Sequence, residues 1–99
     1  MKLPELYEVY KYINDRLGVP KVKKGRVDEF SVLMARSMFC RFAKEDLDAD
    51  MGEIEIIVWK GEVTVNRNVR NLRKLIHKED FISKEVLRQY YLIRTELLK

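Results

Sequence analysis

Cysteine is almost missing from this 99-residue chain: Cys40 stands alone. An intrachain disulfide and a cysteine-cluster zinc site are therefore excluded, which fits a reducing cytoplasm. Histidine is equally scarce. His77 has no histidine or cysteine partner at ligand spacing, and it reads as a helix-end residue, where positive charge is favoured. No run of about 18 apolar residues occurs, so no membrane span is expected. The N-terminal stretch MKLPELYEVYKY lacks the apolar centre and small-residue cleavage site of a signal peptide. Also missing are a G-x-x-x-x-G-K phosphate loop, a nucleophile–base pairing and a paired-carboxylate motif. Nothing in the chain asks for an enzyme or implies a cofactor. Asp46-x-Asp48-x-Asp50 has the spacing of a calcium loop, but Met51 stands where glycine is required and Ile57 where the bidentate glutamate belongs. That segment reads as a solvated turn.

What is present is the composition of a soluble globular chain, 46% hydrophobic and 36% charged. The length suits one domain over residues 1–99 with one core. A net charge of +4 is only mildly basic, so the positions of the cations matter more than their sum.

Apolar spacing predicts helices. Leu6, Tyr10, Ile13 and Leu17 recur at helical intervals after Pro4, a favoured first helical residue. Gly18-Val19-Pro20 is a stop signal, and KVKKGR reads as a basic loop. A second helix is expected from Asp28, a candidate N-cap, to about Glu45. It is apolar on nearly every side (Phe30, Leu33, Met34, Met38, Phe39, Phe42), which is the mark of a central helix packed by several neighbours. Cys40 within it reads as core. Arg36 interrupts its apolar surface and is expected either to snorkel or to meet a partner, with Asp46, Asp48 or Asp50 as the nearest intrachain choices. Asp50 and Glu53 have capping-box spacing ahead of a short helix over Met51 to Val58. Ser83 is a candidate N-cap for a last helix with a stripe of Val86, Leu87, Tyr90, Ile93 and Leu97. Tyr90 reads as core and Tyr91 as rim.

The segment GEIEIIVWKGEVTV reads two ways. Its β-branched residues around Lys60-Gly61 suit a hairpin. Met51, Ile54 and Val58 share a helical face, however, and Val65 opens a helical series with Val69, Leu72 and Ile76, which favours two helices. Trp59 fits either a core cap or an exposed contact. Off the Val65 stripe lie Arg67, Arg70, Arg73, Lys74 and Lys78, with no acidic residue among them. Such a helix buries one face and offers cations on the other, a pattern that suits DNA phosphates as well as an ordinary solvated surface. About five neutralised phosphates correspond to a fall of log affinity with log salt at a slope of about −4 to −5.

The run ARSMFCRFAKED, followed by DMGEIEIIVWKGEVTV and the basic helix, resembles the C-terminal DNA-binding domain of the bacterial replication initiator DnaA. Ala35-Arg36 match the Ala-Arg of the family's preceding helix. Asp50-Met51-Gly52-Glu53-Ile54 match the segment opening its first motif helix. Lys60 to Val65 lie where its signature, Arg-Asp-His-x-Thr-Val, lies. The resemblance covers roughly residues 6 to 80. It implies a compact all-α domain of about five helices, of Trp-repressor type, with a helix–turn–helix at about residues 50 to 78. It also implies non-catalytic binding of double-stranded DNA. Lys60, Arg67, Arg70, Arg73 and Lys74 would engage phosphates or bases, Thr64 would set the start of the recognition helix, and Arg36 would reach the backbone or minor groove from the side. Gly61-Glu62 replaces the family's base-reading Asp-His, and Arg67 replaces its second His. These changes point away from the family's origin site. They also leave open a protein-interaction module that kept the fold. The target sequence and the oligomeric state are not set by the sequence.

Overall fold

The computed structural model describes residues 3–19 and 29–99. The Pro20 stop, the KVKKGR loop and the Asp28 cap fall outside them. Among the described residues the elements are α1 (Leu3–Arg16), α2 (Glu29–Glu45), α3 (Met51–Val58), α4 (Glu62–Lys74), a 3-10 turn (Leu75–His77) and α5 (Phe81–Leu97), with no strand. Over the described residues the fold is all-α with five helices, and the hairpin alternative for residues 52–65 is overturned by α3 and α4.

α2 is the hub. Ala35, Met38, Phe39, Cys40, Phe42 and Ala43 are all buried, and they lie on several sides of the helix, so α2 meets α1, α3, α4 and α5. α1 brings Leu6 and Ile13, and packs the Tyr10 ring against Phe39 in a tilted pair with centroids 4.8 Å apart. α3 brings Ile54 and Val58, α4 brings Val65, Val69 and Leu72, and α5 brings Val86, Tyr90 and Ile93. Each large side chain fully buried in this way stabilises the fold by about 1.5–3 kcal/mol.

Polar links tie the outer helices together. Asp46, just past α2, takes a bidentate bond from Arg94 of α5, at 2.7 Å from Nη2 and 2.9 Å from Nε. The expected pairing of an Asp46, Asp48 or Asp50 carboxylate with Arg36 is therefore not the one that forms. In the same last turn of α5, Glu96 accepts from the Tyr12 hydroxyl and pairs with Arg16 at 3.1 Å, which closes α1 onto α5.

Helix ends follow the local chemistry with two differences. Gly18 stops α1 with φ +73, a left-handed conformation that glycine adopts without penalty. Asp50 is the N-cap of α3 by backbone conformation, yet its side chain makes no cap bond, so no capping box closes with Glu53. The N-cap of α5 is Asp80 and not Ser83. Asp80 Oδ2 accepts the Ser83 backbone N–H at 2.9 Å, and Oδ1 accepts its hydroxyl at 2.9 Å. A carboxylate three residues upstream thus does what the serine was expected to do.

The apolar stripe of α4 also ends earlier than its spacing implies. Val65, Val69 and Leu72 are buried, but Ile76 is 63% exposed. The chain tightens into the 3-10 turn at Leu75, and at three residues per turn the next side chain swings off the 3.6-residue line. Leu75 packs partly against the core in its place.

Candidate nucleic-acid interface

α3 and α4 are joined by three residues, Trp59, Lys60 and Gly61. The left-handed position that makes this turn tight belongs to Trp59, with φ 57 and ψ 41, and its N–H donates to the Glu55 carbonyl at 2.8 Å. Gly61 has φ −76 and ψ 172, an ordinary extended conformation, and its carbonyl starts α4 by accepting the Val65 N–H at 3.1 Å. The glycine is therefore not what permits the turn. A bulky residue holds the strained position.

The buried stripe of α4 fixes its rotation. Val65, Asn68, Val69 and Leu72 face inward, largely against α2. The opposite line, at i, i+4, i+7 and i+11, is Val63, Arg67, Arg70 and Lys74, all exposed. Among the described residues, these three cations pair with no carboxylate and donate no hydrogen bond. Lys60 is exposed in the turn ahead of them and is likewise unpaired.

Arg73 lies to the side of this line. Its Nε donates to Glu45 Oε2 at 2.7 Å. Glu45 Oε1 in turn accepts from Arg41 Nε at 3.1 Å, and the Arg41 guanidinium lies over the Tyr90 ring at 4.8 Å. Burial alone would raise the Glu45 carboxyl, but Arg73 and Arg41 outweigh it and hold it below its ordinary value. On the other flank Thr64 is half-buried. On the Arg73 side, Lys44 of α2 donates to the Asn66 side chain at 3.0 Å.

Arg36 sits apart from the α4 line. It is half-buried on α2, with Tyr10 and Cys40 feeling its charge. Its Nε is buried with no hydrogen-bond partner, so that donor is closed to an outside acceptor while the side chain keeps this position. The α4 line points away from α2, so Arg36 would meet a ligand of that line only from the side. Cys40 itself is core: burial pushes its thiol up to about 12, against the pull of Arg36 and the Asn68 amide, and leaves it inert.

Charge is graded along this surface. Near the turn, Lys60 lines a hollow together with Glu55, and Glu62 follows two residues later in sequence. Glu62 occupies the first turn of α4, where the helix dipole favours an acid. From Arg67 to Lys74 the outward line is purely cationic. The turn and the start of α4 also carry apolar exposure: Trp59 is 89% exposed and Val63 71%, and Trp59 with Ile56, Gly52 and Gly61 lines a shallow hollow.

Val63 belongs to the outward line without standing out as a cation does, and its spacing four residues before Arg67 is the signal for it. The Glu45 bond to Arg73 has no such signal in the sequence. No group of metal-binding side chains occurs among the described residues, and none of the helices there is long and apolar enough to cross a membrane. Comparison of the chain with protein-family models, curated proteins and solved structures finds no match.

Proposed function

We propose that the protein is a non-catalytic, cytoplasmic binder of double-stranded DNA, with α3 and α4 acting as a helix–turn–helix and α4 as its recognition helix. The observation that carries this reading is the outward line Arg67, Arg70 and Lys74, unpaired on a helix whose opposite face is buried. Solvated surface helices commonly alternate charge signs or bind their own acids, and this line does neither. The short turn supports the reading, as does the likeness of residues 35–65 to the DNA-binding domain of DnaA. Lys60 and Arg67 belong to the contact, Thr64 positions the helix start, and the half-buried Arg36 adds its charge from the side. Arg73 is held back by Glu45. Gly61-Glu62 in place of Asp-His argues for a site other than the replication origin's. A role in replication or transcription fits such a binder.

A mobility shift with a mixed-sequence duplex at low salt tests this. The wild type should bind, and the triple change Arg67→Ala, Arg70→Ala, Lys74→Ala should abolish binding while leaving the circular dichroism spectrum helical. Equal binding by the triple variant, or none by the wild type, overturns the reading.

A second reading, a protein-interaction module, has its own observation. Phe81 is 80% exposed and its neighbour Ile82 62%, and large apolar side chains exposed side by side suit a protein contact. It predicts that changing Phe81 alters association with a protein partner and leaves duplex binding untouched.

A further inference from the structure

Two features, one in the α3–α4 turn and one at the start of α4, are not explained by phosphate contact. Trp59 is the only tryptophan in the chain, is almost wholly exposed, and holds a left-handed backbone conformation that is a genuine outlier for a bulky side chain. Such outliers concentrate where a chain meets its ligand. Val63, a β-branched apolar residue, occupies the leading position of a line that is otherwise cationic. An exposed apolar side chain ahead of three cations does nothing for phosphate affinity. In a recognition helix lying in the major groove, the N-terminal residues reach base edges while flanking cations hold the backbone. The one apolar group on a base edge in that groove is the thymine C5 methyl.

We propose that Val63 and Trp59 form an apolar reader of thymine methyl groups at the leading end of the cationic line, so that the duplex this surface prefers is rich in thymine. The proposal rests on the double-stranded-DNA reading above and names the substrate class within it. The polarity of α4 supports the assignment. Its N-terminal end is mixed in charge and apolar, suited to a groove floor. Its middle and C-terminal end carry Arg67, Arg70 and Lys74, suited to the flanking phosphates. The chemical partner is a methyl group, so the proposal separates cleanly from any effect of charge.

Two duplexes that differ only by that methyl provide the test: an alternating A·T duplex and its A·U counterpart. Trp59 fluorescence reports binding in the wild type and in Val63→Ala, and mobility shift reports it in Trp59→Ala. The uracil duplex should bind about 3- to 4-fold more weakly for each methyl contacted, the factor expected for one buried CH₂-sized group, with an unchanged salt slope. Val63→Ala should erase that difference, and Trp59→Ala should reduce it. A G·C duplex carrying 5-methylcytosine should bind more tightly than the unmethylated one. Equal affinity for thymine and uracil duplexes, with salt-sensitive binding intact, overturns the methyl reader and leaves DNA binding standing. So does a preference that Val63→Ala leaves in place. Absence of salt-sensitive binding to every duplex overturns both. Concentration-dependent self-association that Trp59→Ala abolishes, without change in duplex preference, assigns the apolar patch to a second copy of the chain instead.

Discussion

Arg73 of α4 is bonded to Glu45 of α2 at 2.7 Å, while Arg70, one turn earlier, faces solvent with no partner among the described residues. Two arginines three residues apart on one helix therefore do different work, and the difference is set by rotation.

Replacing each with alanine should separate the roles. Arg73→Ala removes a partly exposed ion pair worth about 0.2–1 kcal/mol, lowers the urea midpoint slightly and leaves duplex affinity nearly unchanged. Arg70→Ala should leave the urea midpoint alone and weaken duplex binding. Urea titration and a binding isotherm on each variant check this. Equal loss of affinity for the two would mean that Glu45 releases Arg73 when DNA is present.

Glu45 makes stability depend on acid. Although burial opposes it, the bonds from Arg73 and Arg41 lower its carboxyl from an ordinary 4.5. A group whose folded value is depressed gives stability that is fully present above the unfolded value and is lost as pH falls through the folded one. Urea midpoints should thus fall as pH drops below about 4.5, and Glu45→Gln should flatten part of that fall. A variant with the same acid slope as the wild type would remove Glu45 from the account.

The two ends of the expected α4 stripe should respond differently to truncation. Leu72→Ala empties a buried position and should destabilise the fold by about 2–5 kcal/mol. Ile76→Ala, on the exposed side of the 3-10 turn, should change stability by less than about 0.5 kcal/mol. Comparable losses in a denaturant series would mean that the helix runs on past Lys74.

Much of this architecture was legible in the chain. The span of α3, the hub character of α2 and the inward face of α4 follow from apolar spacing, because burial of a helix repeats with the helix. Asp80 in place of Ser83 was missed because both residues suit a cap and only the chain's entry angle decides between them. Ile76 was missed because the change to a tighter turn is set by contacts with α5 as well as by local sequence. The candidate site was half legible. The cations were visible as a cluster, but which of them are free depends on Glu45, 28 residues away in sequence, and local spacing carries no record of such a pairing. The same holds for Asp46, bonded by Arg94 from a different helix.

Trp59 offers a case where stability and function should part. The left-handed backbone disfavours a residue with a Cβ by about 1–2 kcal/mol. Glycine relieves this but adds unfolded-chain entropy of about 0.4–1 kcal/mol. Trp59→Gly should therefore stabilise the fold by about 0.5–1 kcal/mol, since the exposed indole contributes little packing, while weakening any ligand contact made by the turn. A lowered urea midpoint would show that the indole supports the fold after all.

Binding of duplex DNA through this surface stands or falls on the salt dependence of its affinity. Four unpaired cations, Lys60, Arg67, Arg70 and Lys74, correspond to a slope of log affinity against log salt of about −3 to −4, and each alanine replacement among them should reduce its magnitude by about 0.9. Arg73→Ala should leave the slope unchanged. A wild-type slope near zero, or one that does not respond to Arg67→Ala and Arg70→Ala, would contradict the account.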